Sequence, residues 1–174
     1  MRMSFIIINK VVGSVLMRGM FKKIFIIYLF LMGFTVQSTE EKKQIGPIKI
    51  VIQSNDLMKY DKSAINVEKG KAYEITLKNV GKLPKVAMGH NLIILKPGIN
   101  ALNFGQDLIT KYGATVQNEW NPVKGSMFIL KQTKMLGPGE QETLKIKFDK
   151  RGAYHYLCSF PGHFGQMRGI INVK

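Results

Sequence analysis

The chain carries one cysteine, Cys158, in 174 residues. A lone thiol excludes an internal disulfide, so the fold must be held by its core. Three roles remain for the sulfur: an inert buried group, a pair with another molecule, or a metal ligand. Histidine is also scarce, at three, and tryptophan occurs once, as Trp120. Acidic residues number 11 against 26 lysines and arginines. The lysines are scattered rather than run together, which argues against a nucleic-acid-binding stripe. A basic surface instead favours acidic partners and speeds their association. No apolar run reaches the roughly 20 residues a membrane helix requires. No long stretch is low in complexity, and one ordinary domain fits this length where two do not.

What is present begins with a targeting pattern. Met20-Phe21-Lys22-Lys23 is a short positive start, Ile24 to Phe34 an apolar run, and Val36-Gln37-Ser38 a small-residue cleavage site. Residues 1–38 are expected to be a signal region and 39–174 the mature domain, exported to a periplasm and free of any membrane span. Met20 opens a complete signal by itself, so translation is expected to start at Met17 or Met20. Arg2, Lys10, Arg18, Lys22 and Lys23 precede residue 39 and every acidic residue follows it, so the mature domain's formal charge falls from +15 to +10. Export also argues against nucleic acid as a partner.

From Gly46 onward the pattern is short strands between turn signals. Ile48, Ile50 and Ile52 alternate with polar residues, as do Tyr73, Ile75 and Leu77, and Leu144, Ile146 and Phe148. Asn91 to Leu95, Met127 to Leu130, Ala153 to Cys158 and Gly169 to Val173 add further runs. Period-2 patterning punctuated by Gly, Pro, Asn and Asp marks an all-β sandwich or barrel. Asn100 to Tyr112 departs from it, with partly helical spacing of Leu102, Leu108, Ile109 and Tyr112. A short helical insertion packed on the sandwich is expected there.

The chemistry concentrates in Cys158-Ser-Phe-Pro-Gly-His163-Phe-Gly-Gln-Met167. A thiolate, an imidazole and a thioether share one loop, and Pro161-Gly162 can turn the chain so that His163 returns toward the sulfur. Thiolate and imidazole suit copper or zinc, and a long thioether contact is typical of blue copper. A trigonal copper site needs a second imidazole. His90, in Met88-Gly89-His90-Asn91, supplies one at the entry to an apolar strand, and Gly89 lets the backbone approach closely. The third histidine, His155, lies three residues before Cys158 and on the opposite strand face.

These residues resemble the azurin family, within the cupredoxins. Four residues separate Cys158 from His163 and three separate His163 from Met167. That spacing resembles azurins and their auracyanin-like relatives, whereas plastocyanin- and amicyanin-type loops are shorter. Ser54-Asn55-Asp56-Leu57-Met58, Asn66-Val67-Glu68-Lys69, Leu83-Pro84-Lys85 and Lys134-Met135-Leu136-Gly137-Pro138-Gly139-Glu140 extend the likeness, in order, over Ile48 to Lys174.

The resemblance implies a Greek-key cupredoxin β-sandwich with one type 1 copper. It implies His90, Cys158 and His163 as ligands, with Met167 and the Gly89 carbonyl as weak axial partners. Asn91 and Ser159 would tie the ligand loops together, and the Phe160 amide would donate to the thiolate. Met58, Leu83, Met88, Pro161 and Phe164 would form an apolar contact patch around the His163 edge. The implied function is single-electron shuttling, without enzymatic chemistry, between redox proteins such as c-type cytochromes or another periplasmic oxidoreductase. A periplasmic copper-binding or copper-delivery protein is the alternative. Two departures stand out: the family's N-terminal disulfide has no cysteines here, and the family Trp after the Gly-His-Asn turn is Leu92.

Overall fold

The computed structural model describes residues 46–174. The signal region, the cleavage point after Ser38 and the alternative starts at Met17 and Met20 lie outside the described residues. Among those described, no helix is long and apolar enough to cross a membrane.

The period-2 segments and two shorter stretches form nine strands among the described residues: β1 Ile48–Asn55, β2 Lys59–Tyr60, β3 Ala64–Val67, β4 Ala72–Asn79, β5 Ile93–Leu95, β6 Ile129–Gln132, β7 Gln141–Lys147, β8 Gly152–Leu157 and β9 Arg168–Val173. They make a sheet of order β2-β1-β4-β7 and a sheet of order β3-β9-β8-β5-β6. Two pairings are parallel, β1 with β4 and β3 with β9. The chain crosses repeatedly between the sheets, giving the expected Greek-key β-sandwich.

The alternation sets which face is buried. Ile52, Ile65, Tyr73, Ile75, Leu77, Leu92, Ile94, Ile146, Phe148, Tyr156 and Ile171 fill the space between the sheets. Each fully buried side chain of this size contributes about 1.5–3 kcal/mol, which is how the fold stands without a disulfide.

Two helices interrupt the strands: α1, Lys85–Met88, and α2, Ala101–Gln106. The expected insertion is therefore helical for six residues only and continues as turns to Tyr112. Asn100 caps it, its Oδ1 accepting from Leu102 N–H at 2.9 Å and Asn103 N–H at 3.1 Å. Ala101, Phe104 and Leu108 turn inward onto Ile93, Leu95 and Leu157, forming a second core outside the sandwich. Leu102 and Ile109 point to solvent, so Phe104, rather than those two, carries the packing.

Candidate metal centre

The loop after β8 folds as its sequence dictates. Pro161 and Gly162 occupy the two central positions of a turn closed by His163 N–H donating to Phe160 O at 3.0 Å. Gly162 takes φ 79°, a left-handed value that favours glycine. A single 3-10 turn, His163–Gly165, then brings Met167 N–H to His163 O at 2.7 Å. Cys158 N–H donates to Met167 O at 3.0 Å. The loop thus closes on itself, with Cys158 and Met167 wholly buried.

The second imidazole arrives from the other side. Pro84 starts α1, and its carbonyl accepts from Ala87 and Met88 N–H, each at 2.9 Å. The chain straightens at Gly89, where a Cβ would lie 2.7 Å from Lys85 O and 2.8 Å from Met135 Cγ. Close backbone approach therefore explains the glycine. His90 then pairs with Leu136 through two backbone hydrogen bonds, 3.1 and 2.7 Å.

These elements bring His90, Cys158 and His163 together, with their donor atoms all within 4.8 Å of one another. Among the described residues this is the one such cluster. Cys158 Sγ lies 3.7 Å from His163 Nδ1. A nitrogen about 2.0 Å and a sulfur about 2.3 Å from a shared metal are about 3.7 Å apart at a trigonal angle. His90 is fully buried, and neither of its ring nitrogens makes a hydrogen bond. An unpaired buried polar atom costs about 1–3 kcal/mol, so these nitrogens call for a ligand. The residues present fit a copper ion.

Burial dominates the electrostatics. It pushes the Cys158 thiol up to about 11, with the backbone amides of Asn91 and Phe160 pulling the other way. Burial lowers His163 to about 4, with His90 adding to the effect. His90 is also lowered by burial, opposed by the Asn55 backbone, which lies outside hydrogen-bond geometry, and by the Asp56 charge. At neutral pH the metal-free site holds two neutral imidazoles and a thiol.

Asn91 bonds across the two loops, its Nδ2 donating to Ser159 Oγ at 2.7 Å and its Oδ1 accepting from Ser159 N–H at 2.8 Å. Four further residues hold this end of the molecule, none of them assigned to the site by sequence. Tyr60 OH donates to Asn91 O. Thr133 exchanges bonds with Leu92, 2.9 Å from Leu92 N–H to Oγ1 and 3.0 Å from Thr133 N–H to Leu92 O. Met135 lies against Gly89. Trp120 lies against Phe160. Long-range bonds to backbone leave no spacing signature; only the Lys134–Glu140 likeness flagged the neighbourhood of Thr133 and Met135.

The expected contact residues are unevenly placed. Leu83 is 44% exposed. Met58, Met88 and Pro161 are half-buried. Phe164 is half-buried too, but its ring covers Gly105 of α2 and so belongs partly to the insertion's packing. Val86, 88% exposed on α1, is a larger apolar surface than any of these.

Residues 47–174 match the family model of copper binding proteins, plastocyanin/azurin family. The chain is 34% identical over 131 residues to azurin of Pseudomonas fluorescens biotype B, covering 72% of this chain and 98% of that protein. Among solved structures, reduced auracyanin of Roseiflexus castenholzii is similar with TM-score 0.60 and 28% identity, over 74% of this chain and 99% of that one. An azurin of Methylomonas sp. strain J, Az-iso2, is similar with TM-score 0.61 and 27% identity, over 74% and 99%.

Proposed function

Since the chain belongs to the plastocyanin/azurin family of copper-binding proteins, we propose that it is a blue copper electron carrier. In this reading His90, Cys158 and His163 are the strong ligands, and Met167 and the Gly89 carbonyl the weak axial partners. The observation that supports it best is the buried His90, with both nitrogens unpaired, facing a buried thiol and a second imidazole. Bound there, copper supplies a one-electron Cu(I)/Cu(II) couple that soft sulfur and imidazole ligands accommodate in both states.

The protein's part is to keep the donors still. His90 is fixed by its bridge to Leu136, Cys158 by the end of β8, and the two loops by Asn91 and Ser159. The amides of Asn91 and Phe160 stabilise the thiolate at the sulfur. The site is buried, leaving little room for a substrate, which favours electron transfer over catalysis.

The reading extends to a periplasmic location, supported by the signal pattern of residues 1–38. It also extends to partners that are redox proteins, c-type cytochromes or another periplasmic oxidoreductase, docking weakly near Leu83, Met88 and Pro161. A redox titration of the copper-loaded protein tests it. The expected result is a reversible one-electron couple with copper retained in both states. Loss of copper to a chelator on reduction would point instead to copper delivery.

A further inference from the structure

Trp120, the single tryptophan of the chain, stands in the connection between α2 and β6. Its ring centroid is 6.2 Å from that of Phe160, at an interplanar angle of 64°. The Phe160 ring is in turn 4.6 Å from the His163 ring. Both separations lie in the range of aromatic contact, so three rings run without a gap from this loop to the imidazole.

The backbone beneath Trp120 is unusual. Glu119 and Trp120 both take left-handed values, φ 50° and 60°, which bulky side chains rarely adopt. Such strain persists where surrounding contacts over-determine it, and it clusters at functional sites. Trp120 N–H donates to Thr115 O at 2.7 Å. Glu119 pairs with Lys85 of α1, and Asn121 Oδ1 lies 3.5 Å from Asn91 Nδ2. Three consecutive residues thus reach the segments before His90, after His90 and after Cys158. His163 itself is 2% exposed, so its own edge offers almost no surface, whereas Trp120 and Phe160 are half-buried.

We propose that Trp120, Phe160 and His163 form an electron path into the metal centre, with Trp120 as its surface end. The proposal rests on the copper reading above. One electron leaves a reduced partner protein and arrives at Cu(II), giving Cu(I); no bond forms or breaks and no proton moves. Trp120 is not itself oxidised. Its ring and that of Phe160 couple donor to imidazole better than a solvent gap of the same length. The matching partner is a redox protein that sets its cofactor against the Trp120 face of this end of the sandwich.

The test compares copper-loaded wild type with Trp120→Leu and Trp120→Phe. Electron self-exchange, the visible spectrum and the reduction potential are measured for each, and Trp120 emission is recorded for the wild type loaded with Zn(II) or Cu(II). Self-exchange should fall severalfold in Trp120→Leu and be largely restored in Trp120→Phe, with spectrum and potential unchanged in both. Emission should be bright with Zn(II) and quenched with Cu(II). An unchanged or faster rate in Trp120→Leu would overturn the proposal, a faster one identifying Trp120 as a cover. A rate loss that tracks a shifted potential and spectrum would overturn it too, making Trp120 a positioning residue, as would undiminished emission with Cu(II). If wild type forms no coloured copper complex, the copper reading fails and the path fails with it.

Discussion

Asn91 and Ser159 are 68 residues apart in sequence and exchange two hydrogen bonds, Nδ2 to Oγ at 2.7 Å and backbone N–H to Oδ1 at 2.8 Å. Both residues are buried. The pair fastens the His90 segment to the Cys158 segment, so it sets the geometry in which both donors meet. Asn91→Ala leaves the Ser159 N–H and hydroxyl without these partners. Chemical denaturation of the metal-free protein should show a loss of about 2–3 kcal/mol. The copper complex should also shift its absorption, since the two ligand segments are no longer tied.

His90 carries the opposite expectation. Its two nitrogens are buried and unpaired, a cost that an apolar side chain of similar size would remove. His90→Leu should leave the metal-free protein as stable as wild type or more so, by thermal unfolding, while abolishing copper binding. Marked destabilisation of the metal-free variant would mean that His90 serves the fold rather than a ligand.

Gly89 is held by space rather than by conformation. A methyl there meets the Lys85 carbonyl at 2.7 Å and Met135 Cγ at 2.8 Å. Gly89→Ala should destabilise the metal-free protein by about 1–3 kcal/mol and weaken copper binding. Met135→Ala removes the side-chain contact but not the backbone one and empties a buried position of its own, so in unfolding the double variant should lose less than the sum of the two single losses.

The pH dependence follows from the buried donors. With the Cys158 thiol up at about 11 and His163 down at about 4, binding Cu(II) at pH 7 should release one proton, from the thiol. Affinity should therefore rise about tenfold per pH unit, and more steeply below pH 4, where His163 is also protonated. Calorimetry in buffers of different ionisation enthalpy measures this count; no proton release would contradict it. For the metal-free protein, the unfolded chain binds protons at histidine that the folded site refuses between about 6.5 and 4, so stability falls as pH falls through that window. Above the ordinary thiol value of 9.0 the unfolded chain loses a proton that the folded chain keeps up to about 11, so stability falls again as pH rises.

Much of this fold is written in period-2 alternation, because one face of each strand is buried. Ile48, Ile50 and Ile52, and Tyr73, Ile75 and Leu77, turn inward as their spacing requires. The loop donors are legible because Cys158, His163 and Met167 are close in sequence, and His90 because histidine is so scarce. What escapes is short or distant. β2 spans two residues and β3 four, too few to set a period. Helix α2 ends at Gln106 because the chain turns there to seat Leu108 against β5 and β8. Tyr60 and Thr133 act on backbone groups of Asn91 and Leu92, contacts fixed by the sandwich and not by local pattern. Trp120 reads as a loop residue away from the site, and only the folding of the 113–122 segment lays it on Phe160.

In the proposed function Cys158, with His90 and His163, forms a blue copper site. The visible absorption spectrum of the protein loaded with Cu(II) tests it most directly. An intense blue colour, bleached by a reductant and absent in Cys158→Ser, is expected. A colourless or faintly coloured complex, or a blue colour that survives Cys158→Ser, would contradict it.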